Sequence, residues 1–200
     1  MKDFKMTIYR GGYMSIGLKR GTVAVEPHRA EWETAARNMI DQLQKICKDD
    51  LIDVQHIGST SIKSICAKPI IDIVVGVNRF DRFMKHNDAL MEGGIVYHKE
   101  YPPGQHLYVC GNPAANIQTH YIHVVIWGQQ AWNNYINLRD YLNSHEEKAK
   151  EYAALKEHLA KEYPENRIAY TSGKSAFIEE ILQMAAAWRQ QRGEGSELPK

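Results

Sequence analysis

The order of hydrophobic and polar positions predicts alternating helices and strands in the first half of the chain. Residues 30–48 carry apolar side chains every three or four positions, which is typical of an amphipathic helix. Residues 52–57 and 69–77 are short apolar runs, and the second is apolar enough to be a strand buried on both faces. Residues 80–91 return to the helical period and end before a pair of glycines. The pattern therefore predicts helices that pack on a sheet.

The second half of the chain begins with strands and ends with helices. A Pro-Pro-Gly turn separates two short apolar runs, and a longer run follows. The predicted elements are strands at 95–98, 106–110 and 119–127, then helices at 132–142, 146–162 and from 171 or 172 to 188. This order predicts an α+β (mixed α/β) fold. We expect a mixed β-sheet, helices mainly on one side of it and an all-helical C-terminal third.

Length and composition favour one domain rather than two. Two hundred residues with 44% hydrophobic content can bury one sizeable core. We expect this domain to span residues 22–188. Residues 1–21 hold several glycines and residues 189–200 are mostly polar, so we expect both ends to be loosely ordered.

Charge and hydropathy exclude several classes of partner. The 25 Lys and Arg residues balance 24 Asp and Glu residues, so we expect no broad nucleic-acid surface and no membrane surface. No stretch approaches the roughly 18 apolar residues of a membrane span, and the N-terminus lacks the apolar core of a signal peptide. Three widely separated cysteines fit neither a disulfide framework nor a zinc knuckle. These features predict a cytoplasmic protein and leave its oligomeric state open.

The candidate chemistry centres on a Gly-Ser turn that precedes a strand with one acid. Gly58 lets backbone N–H groups approach an anion, and Ser59 and Thr60 add hydroxyl donors at the start of a short helix. Asp72 is the one acid in the apolar run at 69–77, so it needs a metal, a cationic group or another partner. Together the two features predict a phosphate and metal site. Each alone also has a structural explanation, the turn as a helix cap and Asp72 as an acceptor for backbone N–H groups.

Six stretches of the sequence resemble the GrpB-like family, whose members are similar to the nucleotidyltransferase superfamily. They are EPHRAEW (26–32), HIGSTSIKSICAKPIIDIVVGV (56–77), THYIHVV (119–125), LRDYL (138–142), YAALKEHLA (152–160) and YTSGKSAFIEEIL (170–182). The resemblance implies a nucleotidyltransferase-like sheet whose Gly-Ser turn holds nucleotide phosphates. It also implies two acids at alternate strand positions that hold a divalent cofactor, Mg²⁺ or Mn²⁺.

Residue 74 departs from this family pattern. Side chains alternate across a strand, so the second acid would share a face with Asp72 and fall at residue 74, which is valine. One carboxylate orients a pair of Mg²⁺ ions poorly.

Two histidines lie on the strand predicted at 119–127, on opposite faces. His123 shares a face with Tyr121, whereas His120 lies on the other face. The imidazole of His123 can replace a carboxylate as a metal ligand, act as an acid or base, or be a hydrogen-bonded core residue. As a ligand it would favour a softer metal than Mg²⁺, so Zn²⁺ stays open.

Basic residues near these stretches are candidates for phosphate contacts. Lys68 follows the turn, and Arg139 lies in a predicted helix. Arginine binds phosphate as a bidentate fork, whereas lysine acts as a point charge. Lys63 and Lys174 are further candidates, and each of the four is also explained as solvated surface.

Three functions are consistent with these residues. The first is metal-dependent nucleotidyl transfer, with Asp72 and His123 as catalytic and metal-binding residues. The second is a non-catalytic module that binds a small-molecule nucleotide or phosphorylated metabolite, which Val74 favours. The third is a metal-dependent hydrolase that uses Asp72 and His123. The residues expected to contact phosphate or nucleotide are Gly58, Ser59, Thr60, Lys68 and Arg139.

Overall fold

The strand that carries Asp72 lies inside a mixed sheet. The computed structural model describes residues 16–193. Strand β3 (Ile71–Val77) lies between an antiparallel neighbour, β2 (Asp53–Ile57), and a parallel one, β6 (Ile117–Ile126). The remaining strands are β1 (Leu18–Lys19), β4 (Val96–Glu100) and β5 (His106–Asn112), and the order across the sheet is β2-β3-β6-β5-β4 with β1 beside β6. The predicted mixed sheet is confirmed.

One face of this sheet packs against the first helix. Helix α1 (Ala30–Cys47) buries Trp32 and Leu43 completely against apolar side chains of the sheet, including Ile71 and Ile73 of β3. The helix predicted at 30–48 is thereby confirmed. The strands predicted at 52–57 and 69–77 are also confirmed, with starts one and two residues later than expected.

The helix predicted at 80–91 is divided in two. Helices α2 (Phe80–Phe83) and α3 (Asn87–Glu92) are separated by a 3₁₀ turn at Met84–His86. In this turn the imidazole Nε2 of His86 lies 2.9 Å from a carboxylate oxygen of Asp50. That contact joins distant parts of the chain, so the hydrophobic period does not reveal it.

The other face of the sheet is covered by helix α4 (Gln130–Ser144). Trp132 of α4 packs against Val74 and Val125, and Val74 has no exposed surface. The prediction that helices lie mainly on one side is therefore wrong. Because β3 is apolar on both faces, both faces need a cover.

The C-terminal third is helical, as predicted. Helix α5 (Glu146–Glu162), helix α6 (Arg167–Ser172) and helix α7 (Ser175–Gln191) follow α4. Buried side chains from α4, α5 and α7, among them Tyr141, Tyr152 and Ile181, form a second apolar cluster.

The last predicted helix corresponds to α7, which starts three or four residues later than expected, and the short helix α6 before it was not predicted. The Asn166 side chain caps the start of α6 by accepting a hydrogen bond from the Ala169 N–H at 3.0 Å. Helix α6 ends at Gly173, where a Cβ would lie 2.6 Å from the side chain of Leu159. This contact with α5 shows why the break falls at a glycine.

The ordered domain extends beyond both predicted boundaries. Ile16 packs on the core and β1 pairs with β6, although both precede residue 22. At the other end α7 continues to Gln191, three residues past the predicted boundary at 188. The rest of the two ends predicted to be loosely ordered, 1–15 and 194–200, lies outside the described residues. Within 16–193, no helix combines the length and apolarity that crossing a membrane requires.

Two histidines are partly buried on the α1 side of the sheet. His56 pairs with Ile73, and His120 pairs with Ile71, so the two imidazoles flank β3 on the same face. Burial lowers the pKa of each imidazole to about 4, although the nearby Asp72 carboxylate opposes the shift. Both are therefore neutral in the folded protein near pH 7.

We predict that His120 makes the fold sensitive to acid. A histidine whose folded pKa of about 4 lies below the ordinary value of 6.5 binds protons better when unfolded. Its contribution to stability is therefore complete above pH 6.5 and is lost as the pH falls towards 4. Urea denaturation at about pH 7 and about pH 4.5 gives the free energy of unfolding that is lost on acidification. This loss should be smaller by about 1–2 kcal/mol in His120→Phe than in wild type. The exposed His158 supplies the control, His158→Gln, which should match wild type. Equal losses in all three proteins would contradict the prediction.

We predict that Val74→Asp destabilises the fold without creating a metal site. The new carboxylate would lie among Ile57, Val125 and Trp132, where an unpaired charge is costly. The free energy of unfolding should fall by about 3–5 kcal/mol. The control Val74→Thr keeps the side-chain volume and adds no charge. A rise in the melting temperature of Val74→Asp on adding Mn²⁺, absent from Val74→Thr, would show instead that residues 72 and 74 converge on a metal.

Candidate functional site

The Gly-Ser turn lies directly against Asp72. Gly58 follows the last residue of β2 and has a φ of +70°, which favours glycine. A Cβ at this position would lie 2.6 Å from Oδ2 of Asp72. Positive φ and close approach therefore both require glycine here. A larger residue at this position would displace both the turn and the Asp72 side chain. Its effect would therefore not be limited to preventing an anion from approaching the backbone N–H groups of the turn.

The hydroxyl groups of the turn differ in their availability. Ser59 begins a 3₁₀ turn whose third residue, Ser61, donates from its Oγ to the Gly58 carbonyl at 2.7 Å. Thr60 is buried, and its Oγ1 lies 2.9 Å from Nε2 of His56. The Ser59 hydroxyl has no hydrogen-bond partner within residues 16–193, so it is free to donate to a ligand.

A cleft of about 210 Å³ opens beside this turn. It brings together the Gly-Ser turn, the start of β3, the strand β6 and the junction between α6 and α7. The lining residues are Ser59, Thr60, Lys68, Ile70, Asp72, Tyr121, Tyr170, Thr171 and Lys174. Of the residues predicted to bind phosphate or nucleotide, Ser59, Thr60 and Lys68 line the cleft, and Gly58 lies at its edge against Asp72.

Two lysines converge on one tyrosine ring in this cleft. Nζ of Lys68 lies 5.0 Å from the centroid of the Tyr170 ring, and Nζ of Lys174 lies 4.7 Å from the same centroid. Neither ammonium forms an ion pair within residues 16–193. Burial lowers the pKa of Lys68 to about 7, and repulsion from Lys174 and Arg167 adds to the effect. The two lysines therefore bring positive charge into the cleft beside Asp72, although the chain as a whole is nearly neutral.

Asp72 is linked to His123, as the shared face of their strands allows. Oδ1 of Asp72 lies 3.4 Å from Nε2 of His123, and Nδ1 of His123 lies 3.2 Å from the hydroxyl of Tyr135. That hydroxyl donates to Oε1 of Gln105 at 3.0 Å, so the Nδ1–H of His123 must donate to Tyr135. Nε2 of His123 then has no proton to donate to Asp72. The contact between them is a hydrogen bond only when Nε2 also carries a proton or when the Asp72 carboxyl group is protonated. Asp72 lines the cleft, whereas His123 lies behind it.

These residues do not fit the two-metal centre that the family resemblance implies. Among residues 16–193, Asp72 is the one carboxylate that lines the cleft, and the second acid position is a valine covered by Trp132. No group of three His, Cys, Asp or Glu side chains in residues 16–193 is arranged to hold a metal ion. Asp72 and His123 would offer one ligand each to Mg²⁺, Mn²⁺ or Zn²⁺. Their assignment as metal ligands and catalytic residues stays a prediction.

The other basic candidates have partners elsewhere. Arg139 donates from its NH1 to Oε1 of Gln55 at 3.0 Å and to the carbonyl of His56 at 3.1 Å, and thereby joins α4 to β2. Its Nε also donates to the neighbouring Asp140 at 2.7 Å. Lys63 is exposed and lies 3.4 Å from Glu33. Neither basic residue lines the cleft.

Sequence reasoning gave too little weight to the C-terminal side of the cleft. Tyr170, Thr171 and Lys174 come from one segment, YTSGKS, which joins two helices more than 90 residues after the Gly-Ser turn. Its Gly-Lys-Ser ending resembles the end of a phosphate-binding loop, but the glycine spacing upstream is absent. The sequence signal for this side of the cleft was a lysine close to the predicted start of a long helix.

Comparisons with known proteins agree with the stretches described above. Residues 22–184 match the sequence model of the family described as GrpB protein. The glutamate-rich protein GrpB of Alkalihalophilus pseudofirmus is 35% identical over 170 residues, which is 84% of this chain and 98% of that protein. The crystal structure of conserved protein GrpB from Enterococcus faecalis superposes with a TM-score of 0.76 at 28% identity. That match covers 82% of this chain and 99% of the other.

A weaker structural likeness is to a poly(U) polymerase. The Cid1 poly(U) polymerase with bound Mg 3'-dATP gives a TM-score of 0.49 at 17% identity, over 68% of this chain and 43% of that chain. At that level the likeness says nothing about ligand or reaction. The family match and the close GrpB relatives are sufficient for one conclusion: this chain belongs to the GrpB family.

Proposed function

We propose that the protein binds a small phosphorylated molecule, a nucleotide or a phosphorylated metabolite, in the cleft beside Asp72. The observation that carries the proposal is the convergence of Lys68 and Lys174 on Tyr170 without a bonded carboxylate. The two ammonium groups repel each other, and a bound anion that contacts both would offset this repulsion. A phosphate has enough charge and enough oxygen atoms to accept from both.

The surrounding groups suit the same ligand. Ser59 has a free hydroxyl in the cleft, and Thr171 adds a second hydroxyl from the opposite wall. Lys174 immediately precedes α7, a helix of 17 residues whose first N–H groups favour negative charge. Phosphate in this part of the cleft would receive donors from the turn and from the α6–α7 junction.

Asp72 supports a ligand that carries a hydroxyl as well as a phosphate. An ionised carboxylate accepts hydrogen bonds and repels phosphate, so the phosphate belongs on the lysine side. The carboxylate of Asp72 would then accept from a hydroxyl of the same molecule, such as a sugar hydroxyl. Nucleotides and sugar phosphates have both groups.

Binding is favoured over metal-dependent nucleotidyl transfer or hydrolysis. The cleft provides one carboxylate, and the position of a second acid is filled by the apolar contact between Val74 and Trp132. Transfer through two Mg²⁺ ions needs ligands that this arrangement lacks. The lysines and hydroxyls can bind phosphate without a metal.

We predict that the two lysines carry pyrophosphate affinity. Calorimetric titration with pyrophosphate in the presence of a chelator should show binding to wild type. Lys68→Met and Lys174→Met should each weaken it about tenfold or more, because each removes one charge-assisted hydrogen bond. Lys63→Met is the matched control, since Lys63 is an exposed lysine outside the cleft. Unchanged affinity in both cleft variants would rule out the proposed phosphate position.

We predict that anion binding weakens as the pH rises above about 7. Burial and neighbouring cations lower the pKa of Lys68 to about 7 in the free protein, and a bound anion would raise it again. Binding above pH 7 therefore requires proton uptake. Sulfate keeps its charge from about pH 6 to about pH 9, so its affinity should fall by up to about tenfold per pH unit in this range. In Lys68→Met the affinity should be lower and should depend less steeply on pH. A flat profile in wild type would contradict the role of Lys68.

A further inference from the structure

Lys156 is a buried lysine that the proposed binding site does not use directly. It lies on α5 with 1% of its surface exposed, and within residues 16–193 its ammonium forms no ion pair. A buried ammonium without an ion pair costs folding free energy, and an apolar residue of similar volume would fill the same space at a lower cost. Its presence therefore calls for a role that an apolar side chain could not perform.

The ammonium of Lys156 bonds to the segment between the Gly-Ser turn and β3. Its Nζ donates to the backbone carbonyl of Cys66 and lies 4.6 Å from the ring centroid of Tyr152. The thiol of Cys66 lies 3.8 Å from the carbonyl of Ala153, also on α5. Both contacts fix the segment to the same helix.

The segment fixed by these contacts carries Lys68. Only Ala67 separates Lys68 from Cys66, and the Ala67 N–H donates to the Glu26 carbonyl at 2.9 Å. If the Cys66 carbonyl lost its partner, a buried acceptor would be unsatisfied and the segment would open more often. Lys68 would then be presented to the cleft less consistently.

We propose that Lys156 is a positioning residue for the anion site, which holds the Cys66 carbonyl and thereby fixes the direction in which Lys68 enters the cleft. The expected effect of Lys156 on anion affinity rests on the proposed function, whereas its bond to the Cys66 carbonyl does not. The burial of Lys156, its bond to Cys66 and the short path to Lys68 support it.

Four variants test this role. Lys156→Met removes both the charge and the hydrogen bond, and Lys156→Leu serves in its place if the methionine variant does not fold. Lys156→Gln keeps a donor without the charge. Lys150→Met is the control on the same helix, because Lys150 is exposed and pairs with Glu146 at 2.7 Å.

Two measurements distinguish the effect of Lys156 on the position of the segment from its effect on ligand affinity. Hydrogen exchange of the Ala67 amide, recorded without ligand, should accelerate about tenfold in Lys156→Met and less in Lys156→Gln. Pyrophosphate affinity should fall about five- to tenfold in Lys156→Met and recover at least partly in Lys156→Gln. Lys150→Met should change neither quantity.

The outcomes separate this inference from the proposed function. Wild-type exchange at Ala67 in Lys156→Met would overturn the positioning role, whatever the affinity. Reduced stability with unchanged pyrophosphate affinity would overturn it too, because Lys156 would then only support the fold. Absence of pyrophosphate binding in wild type, with faster exchange in Lys156→Met, would refute the proposed function and support the anchoring of the segment.

Discussion

Burial of β3 on both faces is the constraint on which the rest of the structure depends. A strand that is apolar on both sides needs helices above and below it, and α1 and α4 supply them. A polar side chain can then reach solvent only near an end of the strand. Asp72, the second residue of β3, does so, whereas residue 74 is already covered by Trp132. The same burial that forms the core therefore leaves one acid at the cleft and excludes a second.

Three lysines lie in or near the cleft that contains that acid. Lys68 and Lys174 face the cleft, and Lys156 lies behind the segment that carries Lys68. Burial is the main reason that the pKa values of Lys68 and Lys156 are lowered to about 7, and neighbouring cations lower them further. Groups held at such a cost to folding are typical of functional sites, where a ligand offsets the repulsion.

The sequence predicted the local part of the site, but of the part that depends on tertiary packing it indicated Lys174 alone. Gly58, Ser59 and Asp72 lie within 15 residues of one another in the sequence. The antiparallel pairing of β2 with β3 brings the turn after β2 next to Asp72. Tyr170 and Lys174 reach the cleft only because α6 and α7 pack back against it.

Arg139 shows the opposite limit of sequence reasoning. Its place in a stretch that resembles the family predicted a contact with phosphate. In the structure its guanidinium instead donates hydrogen bonds to the Gln55 side chain and to a backbone carbonyl. The helix break at Gly173 is likewise explained by contact with Leu159, which no local period encodes. Local patterns thus predict strands and turns well, whereas the partners of long charged side chains depend on packing between distant segments.

A crystal structure with bound pyrophosphate, grown with a chelator and without divalent metal, tests the central claim most directly. We expect phosphate density within hydrogen-bond distance of both Lys68 Nζ and Lys174 Nζ, on the side of the cleft away from Asp72. Density bound elsewhere, or an empty cleft at saturating pyrophosphate, would contradict the assignment of this cleft as the phosphate site.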